Sequence, residues 1–169
     1  MTQCDHRDEP DPQGRPTMAL EAEALFVVAV LRSWIAAQRP GGDDGPDWRR
    51  IFVLAELPLE ASAAFGGFMS IVRQAMRRAL DIRCCTCPLV GRDEEAMLRI
   101  IGSLQADDRL RALDDIADWL YPDGVMPALD AAVKLARLLA SHDVLLPHTT
   151  AVAISFDTLR TKPVRHARH

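Results

Sequence analysis

The sequence predicts an all-α fold, a single-domain bundle of about five main helices with short connections. Three observations predict it. Apolar residues recur at three- and four-residue intervals through most of the 169-residue chain. Strand-like alternation is nearly absent. The connections between the last helices are short, so neighbours should be antiparallel. Hydrophobic residues make up 49% of the chain and charged residues 26%, a globular balance in a length that suffices for one sizeable core.

Taken in order, residues 1–16 hold Pro10, Pro12, Gly14 and Pro16 among charges and read as a disordered lead. The bundle is expected over residues 17–148. Its first helix is predicted from Thr17, as N-cap, to about Gln38, with Leu20, Ala24, Val27, Leu31, Trp34 and Ile35 at helical spacing. Phe26, Val28 and Val30 make most other faces apolar, so this helix is expected to be central. The run Pro40 to Pro46 is a loop, after which Asp47 caps a short helix through Trp48, Ile51, Phe52 and Leu54. Pro58 suits the first turn of a second long helix, predicted to reach about Leu80, with Phe65, Phe68, Met69, Val72, Met76 and Leu80 facing inward. Ser62, Gly66 and Ser70 form a thin ridge on it that predicts a close helix crossing, with a kink at Gly66-Gly67 as the alternative.

Beyond a cysteine-containing loop, Asp93 is the expected N-cap of a helix through Met97, Ile100, Ile101 and Leu104, with Glu94 and Glu95 in its first turn. A further helix holds Leu110, Leu113, Ile116, Ala117 and Leu120 and ends before Pro122. The last carries Met126, Leu129, Val133, Ala136 and Leu139 and ends near His142. Residues 149–169 read as an extended arm, with Val152, Ile154 and Phe156 alternating, and a basic tail.

Charge and missing motifs narrow the function classes. The formal net charge is −4: the tail from Thr158 carries +4, residues 1–16 carry −2, and the body between them carries −6. An acidic body argues against a general nucleic-acid surface, and Trp34, Trp48 and Trp119 are too scattered for a base-stacking platform. No apolar run approaches the roughly 20 residues of a membrane span. The acidic, proline-rich start is unlike a secretory signal, so the expected compartment is the cytoplasm, with reduced thiols. Phosphate-cradling Gly-Lys-Ser/Thr loops, dinucleotide fingerprints, His-Glu-x-x-His, Glu-x-x-His and Gly-x-Ser-x-Gly are all missing.

The one cluster with chemical capacity is Cys84, Cys85 and Cys87, followed by Pro88. Cys84 and Cys87 have the Cys-x-x-Cys spacing that lets two thiolates reach one zinc or other thiolate-loving metal. A structural site needs four ligands, so the loop must recruit others: Cys4 and His6, or His142 or His148. Arg73, Arg77, Arg78, Arg83 and Arg92 flank the thiols and favour thiolate, whereas Glu94 and Glu95 oppose it; the sign of the shift is undecided from sequence, and a redox role stays open. Cys87-Pro88 is also the dipeptide of some haem-regulated proteins. Against these stands burial of cysteines as small hydrophobes. Arg73 and Arg77, four apart on the predicted helix, would with Arg83 form an anion-binding group, unless they pair with local acids.

From Arg83 to Leu104 the cysteines, the Cys-Pro step, the Asp-Glu helix start and Met97, Leu98, Ile100 and Ile101 together resemble a group of small uncharacterised bacterial helical proteins. That resemblance implies a helical fold and an intracellular bacterial setting, and no activity. The functional expectation is therefore a partner-binding or regulatory module, with a protein partner and homo-oligomers both open. The alternative is a metal-binding or redox-sensing bundle using the Cys84–Cys87 loop. Any site is expected around Arg77 to Arg92.

Overall fold

The computed structural model describes residues 14–38 and 47–148, and the following statements concern those residues. Six α-helices form one all-α bundle: α1 (Ala22–Ala37), α2 (Trp48–Leu54), α3 (Leu59–Ala75), α4 (Arg92–Gln105), α5 (Arg109–Trp119) and α6 (Pro122–Ala140). Five are long and α2 has seven residues. No β-strand is present among the described residues, only two isolated antiparallel bridges. The predicted arm, the tail, Cys4, His6 and the Pro40–Pro46 loop lie outside the described residues.

The most extensive helix contact is α3 against α6, and α4 packs on both α5 and α6. α1 covers α2 and α4, and α2 covers α3. Phe52, Phe68, Leu31, Met69, Met97, Ile100, Ile101, Ile116, Trp119, Leu120, Leu135 and Leu139 are the largest fully buried side chains. Burying each contributes about 1.5–3 kcal/mol. One end of the bundle is closed where Tyr121 N donates to Ala75 O at 2.9 Å and Arg77 N to Trp119 O at 2.9 Å. The first bond joins the end of α3 to the start of α6, which makes the two helices antiparallel. Gly124 permits this approach, because a Cβ there would sit 2.3 Å from Ala75 Cβ. At the far end Gln105 ties α4 to the last residues: its Nε2 donates to Val144 O and its Oε1 accepts from Leu146 N, both at 2.8 Å.

Three boundaries differ from the sequence expectation, each for a tertiary reason. α1 begins at Ala22, behind a 3-10 turn at Thr17–Ala19. Thr17 does not cap a helix; its N–H donates to Pro88 O at 2.7 Å and its hydroxyl to Cys87 O at 3.3 Å. Arg15, within the predicted disordered lead, accepts from Val90 N at 2.9 Å. α3 stops at Ala75, five residues short of Leu80, because Met76 turns extended and bridges to Leu120. Its side chain is consequently exposed instead of inward-facing. The N-cap of α4 is Gly91, which moves Asp93 and Glu94 inside the first turn. α6 starts at Pro122 and continues through Pro127. The backbone bond Pro127 cannot make leaves the carbonyl of exposed Asp123 to solvent.

Candidate functional site

Residues 76–91 connect α3 to α4 and contain the cysteines and most of the arginines that the sequence singled out. Two adjacent carboxylates on the first turn of α4 hold this strap to the bundle. Glu94 is fully buried and accepts four hydrogen bonds: Arg32 Nε and Nη2 at 2.8 Å each, Arg83 N at 3.0 Å and Gly91 N at 2.7 Å. Arg32 rises from α1, is itself buried, and extends past Glu94 to Cys87 O and Leu89 O at 2.8 Å each. Asp93 accepts Arg78 Nη1 and Nη2 at 2.7 Å, Asp81 N at 2.6 Å and Trp119 Nε1 at 2.9 Å. Asp81 returns the contact, accepting from Arg92 N at 2.8 Å. Gly91 is required here by space, since a Cβ would lie 2.4 Å from Asp81 O.

The charges follow from this geometry. Burial alone would lower the Arg32 guanidinium, but the hydrogen bonds and charge of Glu94 outweigh it, with smaller help from the Cys87 and Cys85 sulfurs, and the net shift is upward. Burial would raise Asp93; Arg78, the Asp81 N–H and Trp119 together reverse that, and Asp93 titrates below the usual carboxylate range. Asp118 is also lowered, chiefly by its hydrogen bond from Arg78. Arg78 is raised in turn, first by the hydrogen bonds it donates to Asp93. Each ion is thus held in its charged form by a directional partner, as a structural network requires.

At the tip, Cys87 N donates to Cys84 O at 3.1 Å and closes a turn over residues 84–87. Cys85 and Thr86 are exposed on it, and Cys87 is half-buried. Cys85 and Cys87 are free thiols, whereas Cys84 has a bonding partner and is not. Its Sγ also lies 3.5 Å from Thr86 Oγ1. Three reduced thiols in one loop are therefore not what the structure holds. Among the described residues no group of three His, Cys, Asp or Glu side chains is placed to hold a metal ion. His142 is exposed and bonded to Leu138 O at 3.0 Å. It and His148 follow α6 at the end of the bundle where α4 finishes, roughly 20 Å along that helix from the strap.

The arginines proposed as an anion-binding group each have a partner among the described residues. Because α3 ends early, Arg73 and Arg77 share no helix face. Arg77 donates from Nε to Asp118 O at 2.9 Å and pairs with the Asp118 carboxylate. Arg83 Nη2 donates to Asp81 Oδ2 at 3.2 Å; its Nε lies 3.1 Å from Oδ1 but off the hydrogen-bond direction. Arg92 and Arg78 converge on Asp118 Oδ2. Only Arg73 makes no ion pair with a described residue; its Nη1 donates to Gln38 Oε1 at 2.9 Å.

Arg73 instead borders a groove of about 570 Å³ along α3, lined also by Trp34, Trp48, Arg49, Leu59, Ser62, Gly66 and Ser70. The predicted Ser62–Gly66–Ser70 ridge forms part of its wall rather than a crossing of long helices. Gly66 lies against the Trp48 indole, where a Cβ would be 3.1 Å from Cη2. Arg49 stacks on the same indole with Cζ 4.3 Å from the ring centroid. At the adjoining α2–α3 corner Val53, Leu54 and Leu59 are 72%, 83% and 78% exposed. Val53 follows Arg49 by four residues, so the apolar corner and the groove share one face of α2. Sequence reasoning missed this corner: it places Leu54 in the apolar spacing of the short helix and does not single out Leu59.

No family model, curated protein or solved structure matches this chain.

Proposed function

We propose that this protein is a cytoplasmic partner-binding module that docks another protein at the α2–α3 corner and its adjoining groove. One observation carries the reading: Val53, Leu54 and Leu59 are large, apolar and more than two-thirds exposed, side by side with a concave surface. Contiguous apolar surface with a polar rim is what association sites use, whereas single exposed apolar residues need no explanation. The supporting core is closely packed. Phe26, Phe52, Trp48 and Phe65 form edge and tilted ring pairs with centroids 5.3 to 6.2 Å apart directly beneath the corner. Preorganised apolar surface of this kind loses little entropy on binding.

Wild-type protein and the Leu54→Glu/Leu59→Glu variant, matched by circular dichroism, are compared as bait. The expected outcome is a partner that the wild type retains, that forms a co-eluting complex when purified, and that the variant loses. Equal retention by both proteins would remove the corner from consideration.

A further inference from the structure

We infer that the segment received by this groove is an acidic amphipathic helix, one whose apolar face is flanked by carboxylates. This rests on the docking reading above and adds the partner's chemistry. Arg49 and Arg73 border the groove, and no Asp or Glu is among the described residues lining it. The contrast with the strap is direct. There Arg32, Arg77, Arg78, Arg83 and Arg92 each meet a carboxylate within 2.5 to 3.4 Å. Among the described residues Arg73 has only the Gln38 amide. Arg49 has Asp47 at 3.7 Å, with both side chains more than half exposed, a contact of small value. Among the described residues, the groove thus presents two cations met only by the Gln38 amide and by a long, exposed contact with Asp47.

Shape selects the form of the occupant. The α3 wall from Leu59 to Arg73 covers fourteen rises, about 21 Å, the length of a four-turn helix. Its outward positions Ala63, Gly67 and Ser70 are small, and a Cβ on Gly67 would meet nothing within 4 Å. A helix laid along α3 can therefore approach closely, with apolar side chains entering between Trp34 and Trp48 and onto Leu59. A second copy of the same groove is disfavoured, because a two-fold contact would oppose Arg49 and Arg73 to themselves. A flat anionic membrane would not fill a concavity.

The test uses the full chain and two labelled peptides. Each is a 15-residue helix former with leucines at i, i+3, i+4 and i+7; one has flanking glutamates and the other lysines at the same positions. Anisotropy titrations at about 50 and 300 mM salt compare them. The glutamate peptide is expected to bind about tenfold or more tightly than the lysine peptide, and to weaken at high salt. Arg49→Glu/Arg73→Glu is expected to invert the preference. Equal binding of both peptides, no change on charge reversal, or no binding of the glutamate peptide would overturn the inference. So would sedimentation with phosphatidylglycerol vesicles in place of peptide binding, or self-association that the arginine variant abolishes. Leu54→Glu/Leu59→Glu separates the two readings. If both peptides bind the wild type equally and both are lost in that variant, the corner stands and the acidic partner falls. If glutamate-peptide binding survives the leucine changes, the corner itself is wrong.

Discussion

Glu94→Gln is the most incisive single change, because it keeps the shape of a fully buried side chain and alters only its charge and one acceptor. Glu94 Oε1 accepts from Arg32 Nε and Arg83 N; Oε2 accepts from Arg32 Nη2 and Gly91 N. A carboxamide preserves one of these oxygen pairs and turns an NH2 group toward the other, so two donors face donors. Two hydrogen bonds are lost, one of them charge-assisted, and a guanidinium that is 4% exposed loses its counter-ion. Removing one partner of a buried pair costs about 3–5 kcal/mol, several times a neutral hydrogen bond. For a chain of this length that corresponds to a fall in Tm of roughly 6–20 °C. Urea unfolding followed by tryptophan fluorescence measures it directly. Arg32→Met is expected to cost a similar amount, by leaving the carboxylate buried with only two backbone donors. The double variant removes both charges and is expected to recover at least about 2 kcal/mol of the summed losses. Single costs below about 1 kcal/mol, or strictly additive ones, would show that the strap is not held by this pair.

Asp93→Asn addresses the second carboxylate through pH. Asp93 is lowered in the folded state, so its contribution is fully present above the unfolded value of about 3.9 and is lost as pH falls through the folded one. The stability gap between wild type and Asp93→Asn is expected to be constant above about pH 5 and to close on acidification below it; a gap independent of pH would refute the assignment. Gly124→Ala forces a Cβ to within 2.3 Å of Ala75 Cβ and is expected to cost about 1–3 kcal/mol in chemical unfolding. Gly67→Ala, with open space around it, is expected to stabilise α3 by about 0.5–1 kcal/mol in the same assay. Alkylation followed by mass spectrometry is expected to label exposed Cys85 before half-buried Cys87; the reverse order would contradict the packing of the 84–87 turn.

Periodicity located every long helix, because each buries an apolar stripe of adequate length. It failed at the ends, where a single long-range contact decides. Nothing local stops α3 at Ala75; the stop comes from Trp119 and Tyr121, more than forty positions later, competing for its last backbone groups. Thr17 is a good N-cap by type, but its hydroxyl and N–H are taken by Cys87 and Pro88. Asp93 and Glu94 likewise fitted a solvated first turn facing the helix dipole. Their burial depends on Arg32 and Arg78 arriving from elsewhere. Arg32 itself left a readable trace: between Ala24 and Ala37 it is the only charge in a helix that is apolar nearly all round. A lone charge on a helix that must be buried implies a buried counter-ion, and Glu94 is it.

From sequence, Arg73, Arg77 and Arg83 could form an anion-binding group or pair with local acids. Position divides them by a simple criterion, whether a carboxylate of the same chain reaches the guanidinium. Arg32 and Arg78 are buried or half-buried and meet acids with bidentate geometry, so their charge is consumed in fixing residues 76–91 against α4. Arg77, Arg83 and Arg92 complete that network through Asp118 and Asp81. Arg73 is four residues from Arg77 in sequence, but the early end of α3 places it on the groove instead, bonded to an amide. A cation already matched by a buried acid has little field left for a ligand, whereas one matched only by a neutral carbonyl retains it. On the docking reading proposed above, the partner's charge is met not by the arginines that fix the cysteine strap but by Arg73, which the strap leaves on the groove.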